Sequence, residues 1–366
     1  MEDKNININE ADMFRVIYPY EIEHETTVTE KKDNSTGLIK WGKMNDFPCK
    51  LLSAVENSVT LSTLVNTVAN YISGEGPEEE TELVNYDLIH DIAESFAIFG
   101  GFAISVRRPA KVKSQKILKL DALDMRCLRT SDSHDKFFWS NKLKEGKGNT
   151  KQGTDINKFS PSSTDPTSIY YYWNSRYYTY PQPMWASAMT EAIMEAKISD
   201  FHLNSIENGF SSNVVVNIFN AGQLSKEGKD ELEDGIRDKF CGGKSVGTPV
   251  VAFSKDENKR IEIQPLNIDS FADRYTALTD NIKEKLYSSF RCSPSLCGIV
   301  EVGTGFNSTE YSDEYSLFFA NVIRPMQKVI EKALTEITGK RVNIKPLTVK
   351  FTDNENVTTP YDERNI

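Results

Sequence analysis

The chain has 366 residues, of which 26% are charged and 39% hydrophobic, with a formal net charge of −10. That length exceeds one compact core and predicts two or three structural regions, and the composition excludes a disordered chain. The acidic balance argues against a basic face built to grip nucleic acid, and no apolar run approaches the roughly 20 residues of a membrane helix.

The opening MEDKNININEADMF is polar and acidic and lacks the apolar centre of a secretory signal, so none is expected. A turn-like stretch follows, KDNSTGLIKWGKMNDFP. From Pro48 the pattern is helical, with Leu51, Leu52 and Val55, then Leu61, Leu64, Val65, Val68 and Ile72 at spacings of three and four. SGEGP stops that run. A second helical run, LVNYDLIHDIAESFAIFG, also ends at a glycine pair, and FAISVRR and KILKLDAL read as short strands. Residues 140–168 are polar and rich in lysine and serine, and read as a long surface loop. Next, IYYYWNSRYYTYPQP could stack single-stranded bases, but two buried strands joined at Asn174–Ser175, or a subunit contact, account for it more simply.

The second half alternates more regularly. SAMTEAIMEAKISDFHLNSIENG (187–209) predicts a helix about 35 Å long, and VVVNIF (214–219) a strand. LSKEGKDELEDGIRDKF (224–240) predicts a charged helix with Ser225 as N-cap. CGGKSVGTP then imitates a phosphate-binding loop. The glycine that motif needs six residues before Lys244 is Asp238, and a helix precedes it where a strand should. It reads as a helix end leading into the strands TPVVAF and RIEIQPL. SFADRYTALTDNIKEKLYSSF (270–290) is a second long helix, and CSPSLCGIVEVGTGFN a glycine-bearing loop. The last long helix, 308–339, places Tyr311, Tyr315, Phe318, Val322, Met326, Ile330 and Ala333 on one face, and Pro325 inside it predicts a kink. VNIKPLTVKF alternates like a strand returning to an earlier sheet.

Five scattered cysteines (Cys49, Cys127, Cys241, Cys292, Cys297) predict reduced thiols in a cytoplasm. No Cys/His spacing predicts a metal site and no cofactor is expected. With no G-x-S-x-G elbow and no H-E-x-x-H, an enzyme is not expected either.

The order of elements, together with NDFPCKLLSAVENSVTLSTLVNTVANYISGEG, IENGFSSNVVVNIFNAGQLSKEGKDELEDGI, FRCSPSLCGI and FNSTEYSDEYSLFFANVIRPMQKVIEKAL, resembles the tailed-bacteriophage portal proteins over most of residues 41–338. The resemblance implies an α+β, portal-type fold. It assigns 1–186 to an α/β wing, 187–210 and 268–291 to stem helices, 211–267 to a small α/β clip and 292–307 to a tunnel loop. Residues 308–339 would be the long kinked helix and 340–366 a C-terminal strand and tail. Only 27 residues follow Gly339, so a helical crown is expected to be minimal or absent.

The function implied is a homo-oligomeric ring of about twelve subunits at one capsid vertex, through which double-stranded DNA passes without sequence recognition. The partners implied are the terminase large subunit, a head–tail adaptor, and the major capsid and scaffold proteins. The place implied is the virion, reached from the host cytoplasm, with no membrane. In the tunnel loop, Glu301, Gly303, Thr304, Gly305 and Asn307 would lie near DNA, the glycines supplying backbone freedom and Glu301 a non-adhesive charge. Lys226, Lys229, Glu233 and Arg237 on the charged helix would make clip contacts to the motor or between subunits. The rival reading is a non-portal structural or adaptor protein of a phage particle or prophage element, working as a small oligomer.

Overall fold

The computed structural model describes residues 14–16, 26–110, 114–145, 152–207, 215–219, 228, 231, 250–254, 271–299 and 308–348. The chain divides into two units, one drawn from residues 1–24 and 196–279, the other from 25–195 and 280–366. The charged-helix contacts (Lys226, Lys229, Glu233, Arg237) and the loop residues (Glu301, Gly303, Thr304, Gly305, Asn307) lie outside the described residues, as do CGGKS and RIEIQPL.

In the first unit, β1 (Phe14–Val16), β10 (Val215–Phe219) and β11 (Val250–Ser254) form a sheet in the order β1-β11-β10. The β10–β11 pair is parallel, with Val215 opposite Val250, and β1 runs antiparallel to β11. A parallel pair needs a crossover connection. The sequence supplies one in the charged stretch, where Gly228 and Glu231 are helical.

The second unit is built on a six-stranded sheet, ordered β5 (Lys119–Leu123), β4 (Gly101–Arg107), β9 (Thr167–Trp173), β8 (Thr154–Lys158), β7 (Lys136–Trp139) and β6 (Leu128–Thr130). Every pairing is antiparallel except β8 with β9. A separate hairpin joins β2 (Glu30–Lys32) to β3 (Ile39–Trp41). Three helices follow the hairpin or precede the sheet: α1 (Phe47–Asn57), α2 (Val59–Ser73) and α3 (Tyr86–Phe99). Ser58 separates the first two and caps the second, its hydroxyl accepting the Leu61 N–H. The predicted apolar positions Leu61, Leu64, Val65, Val68 and Ile72 are all buried. Asn85 caps α3 in the same way, and Gly100 ends it in the left-handed conformation. A Cβ at Gly100 would collide with the Gln182 carbonyl, so that position requires glycine twice over.

Three sequence expectations are corrected. Residues 140–168 are not one long loop: Asn141–Glu145 form a 3-10 turn and Thr154–Lys158 form β8. TDINK has a single apolar residue, so its strand is held by backbone bonds to both neighbours and leaves no periodic signal. The tyrosine-rich stretch is one strand, β9, followed by an irregular segment instead of a second strand. There the Asn174 side chain bonds the Gln182 backbone twice, Ser175 accepts from Tyr177 and Tyr178 N–H, and the Glu30 carboxylate accepts the N–H groups of Thr179 and Tyr180. Side chains satisfy the backbone where a ladder was expected. Finally, residues 343–345 join no sheet. They run beside the α2–α3 connection, bonded at Glu75 N–H to Lys345 O, Lys345 N–H to Gly76 O and Glu78 N–H to Asn343 O, with one bridge between Pro77 and Ile344.

His134 tests the packing of that irregular segment. It is 6% exposed, its ring centroid lies 3.8 Å from that of Trp173, and its Nε2 is 2.7 Å from the Thr179 carbonyl, to which it donates. Burial lowers its pKa below the ordinary 6.5. The folded state therefore favours the neutral form, and that contribution is complete above pH 6.5 and is lost as the pH falls toward the depressed value. The unfolding free energy of the wild type, measured by urea titration, is expected to fall between pH 7.5 and 5.5, at no more than about 1.4 kcal/mol per pH unit from this group. His134→Asn, which suits the left-handed φ of 51°, is expected to flatten that slope.

Candidate functional site at the junction of the long helices

Two long helices carry the chain between the units: α4 (Met189–Glu207) and α5 (Phe271–Phe290), and the unit boundary falls within each. Within the larger unit, the start of α4 and the end of α5 are tied by Lys285 to Glu191 at 3.1 Å. Glu195 on α4 caps α2: its carboxylate accepts the Thr60 N–H at 3.2 Å, the Thr60 hydroxyl at 2.6 Å and the Ser58 hydroxyl. A carboxylate at a helix N-terminus is favoured by the unpaired N–H groups and by the helix dipole. Within α5, Ile282, Leu286 and Phe290 are buried at spacings of four, whereas Thr276, Ala277 and Leu278 are exposed; Leu203 on α4 is 57% exposed.

The chain leaves α5 through Arg291, whose φ of 53° turns it out of the helix. Pro294–Cys297 make one 3-10 turn, closed by Gly298 in the left-handed region. Glu314 clasps this turn, accepting the Ser293 hydroxyl at 2.6 Å and the Ser295 hydroxyl as well. Glu314 belongs to α6 (Ser308–Phe318), so its carboxylate joins both sides of the 292–307 segment. Tyr71 of α2 fixes the turn from the core, donating to Leu296 O at 3.0 Å, with its oxygen 3.0 Å from that of Tyr311. Burial and the Tyr311 hydrogen bond push the Tyr71 phenol well above its ordinary pKa, so it stays a neutral donor. A surface groove of about 450 Å³ opens here, lined by Arg291, Leu296, Glu314, Leu317 and Phe318 among others. Leu317 is 66% exposed and Ile299 46%.

The predicted kink at Pro325 takes a specific form. α6 ends at Phe318, residues Phe319–Ile323 form a π turn, and α7 (Arg324–Thr338) begins with Pro325 in its first turn. Proline lacks the N–H that would bond one turn back and crowds that carbonyl, and the wider π turn is where the helix absorbs the fault. Of the predicted face, Tyr315, Phe318, Val322, Ile330 and Ala333 are buried. Gln327 is fully buried too, donating to the Ile72 carbonyl at 3.0 Å at the end of α2.

The residues that organise this junction, Tyr71, Glu195 and Glu314, carry no motif. Each is separated by more than a hundred residues from at least one of its partners, or meets them across a turn, so nothing local in the sequence marks them. Among the described residues no group of three or more His, Cys, Asp or Glu could hold a metal ion, and no helix is long and apolar enough to cross a membrane.

The architecture defines a class: an α+β chain in which two long helices connect a small mixed sheet to a larger helix-and-sheet unit. No protein-family model matches the sequence, and no curated protein is significantly similar to it. Solved structures are similar. A chain in the virion of a native gene transfer agent particle is 10% identical, with 81% of this chain and 83% of that chain covered and a TM-score of 0.49. One in the neck of the empty particle, computed with C6 symmetry, is 10% identical over 81% and 84%, with a TM-score of 0.51. One in the neck of the native particle, computed with C12 symmetry, is 11% identical over 81% and 83%, with a TM-score of 0.48. The empty-particle neck chain carries the comparison: this chain shares its fold, in agreement with the portal-type resemblance read from the sequence.

Proposed function

We propose that the chain is a structural subunit of a phage-like particle: one copy in a portal ring of about twelve at a unique capsid vertex, enclosing the channel through which DNA is packaged and ejected. The observation that carries this reading is the shared fold with a gene-transfer-agent neck chain over 81% of this chain. That neck was computed with C6 symmetry, and a ring of about twelve is compatible with it. The two long helices would line the stem, and exposed Leu203, Leu278 and Leu317 offer apolar surface that neighbouring subunits would cover. The net charge of −10 per chain suits a channel that must not hold phosphates, because each cationic contact would add counterion-release affinity and stall the duplex.

In this reading Glu301, Gly303, Thr304, Gly305 and Asn307 lie close to the passing DNA. Lys226, Lys229, Glu233 and Arg237 meet the terminase motor, the head–tail adaptor or the next subunit, and the wing meets capsid and scaffold proteins.

Native mass spectrometry of the purified chain, with negative-stain images of the same sample, tests it. A ring of about twelve copies with a central hole is the expected result. Charge reversal at both Lys229 and Arg237 is expected to weaken ring closure or motor binding. A stable dimer or tetramer without a hole would replace the portal reading with that of a small adaptor.

A further inference from the structure

The turn that opens the 292–307 segment holds a dithiol. The 3-10 turn Pro294–Cys297 folds the chain back so that the Cys292 and Cys297 sulfurs stand 3.8 Å apart. A disulfide bond is about 2.05 Å long, so closure asks for a movement of less than ~2 Å at the sulfurs. Cys292 is 5% exposed and Cys297 is partly exposed. The nearby carboxylate, Glu314, is engaged by Ser293 and Ser295, and among the described residues no third ligand makes this pair a metal site.

We propose that Cys292 and Cys297 are a redox pair that closes to an intramolecular disulfide on meeting a small organic disulfide of the glutathione type, locking the turn at the end of α5. Cys297 is the attacking sulfur. The hydrogen bond from Cys292 lowers its pKa to about 7, whereas that bond and burial hold Cys292 protonated. The Cys297 thiolate attacks one sulfur of the organic disulfide, forming a mixed disulfide and releasing one thiolate. Cys292 then attacks the Cys297 sulfur, its proton passing to solvent or to the departing thiolate, and the second organic thiolate leaves. Two protein thiols are oxidised, and one organic disulfide is reduced to two thiols. The other described cysteines are internal controls, since burial raises Cys127 to about 11 and raises Cys49.

This chemistry stands apart from the ring reading and is tested on the full chain with oxidised glutathione as the probe. After timed exposure, acid quenching, unfolding and alkylation, trypsin leaves both cysteines in one peptide, because cleavage follows Arg291 and the next site, Arg324, precedes proline. The expected product is that peptide two hydrogens lighter and unalkylated, formed at least about tenfold faster than Cys127 is modified. Cys292→Ser is expected to trap glutathione on Cys297. A wild-type pair no faster than Cys127, or a glutathione adduct that persists on wild-type Cys297, would overturn the proposal. Because the wild-type measurement needs no variant, a misfolded Cys292→Ser chain would not blunt the test.

Discussion

Arg129→Ala is expected to lower the unfolding free energy by about 3–5 kcal/mol, the range for breaking a buried charged network. Arg129 is fully buried and its guanidinium lies 6.0 Å from the Trp41 ring centroid. It donates to Leu128 O at 2.6 Å, Arg126 O at 3.0 Å and Asn45 O at 2.6 Å, and also to the Asn45 side-chain oxygen. That same Asn45 oxygen accepts the Trp41 N–H at 2.9 Å, and Trp41 stacks on Tyr180 with centroids 4.4 Å apart. Arg129 therefore ties β6 to the residues that follow the β2–β3 hairpin, and Trp41 of that hairpin stacks on Tyr180 in the segment after β9. Alanine would leave several buried acceptors unpaired and a cavity beside Trp41. Lysine keeps the charge but not the planar fork, so Arg129→Lys is expected to lose at least half as much. Urea unfolding at pH 7.5 measures both; a loss under about 1 kcal/mol for alanine would mean that water or neighbouring donors replace the network.

Glu331→Ala is expected to cost about 2–4 kcal/mol. Glu331 is 8% exposed on α7, and one oxygen accepts both the Arg324 guanidinium at 2.8 Å and the Ile344 N–H at 2.8 Å. Ile344 is itself buried. The carboxylate thus pins the chain beyond the helix against the α2–α3 connection, where Gly74 leaves room that a Cβ would take from the Lys345 carbonyl. Glu331→Gln keeps an acceptor for Ile344 while weakening the pairing with Arg324, so its cost is expected to fall between wild type and alanine. Hydrogen exchange at the Ile344 amide separates this account from a general loss of packing. Protection should collapse in Glu331→Ala at urea concentrations where α2 amides remain protected.

The helices were legible because their signals are local. The glycine stops after both runs and the apolar positions at three- and four-residue spacing act within one or two turns, whereas the Ser58 cap that splits the first run into two helices and the Asn85 cap of α3 emerged only in the structure. The fault at Pro325 was legible for the same reason, although only the structure shows it relieved as a π turn over Phe319–Ile323. The portal-type resemblance rested on the order of such elements, and fold-level likeness to a particle neck chain agrees with it.

What the sequence left open depends on partners far along the chain. β8 has almost no apolar residues and exists because strands on both sides supply hydrogen bonds. The tyrosine-rich segment lost its second strand to Glu30, some 150 residues away, whose carboxylate takes the N–H groups a ladder would have used. Residues 343–345 alternate like a strand but meet a connection instead of a sheet edge, and their backbone bonds go there. Composition gave the acidic charge, and periodicity with glycine stops marked the helical runs and the long helices among the described residues. Tertiary structure decided how polar strands are recruited and which carboxylates cap or clasp. Those outcomes are set by hydrogen-bond partners brought together only on folding, which no local pattern encodes.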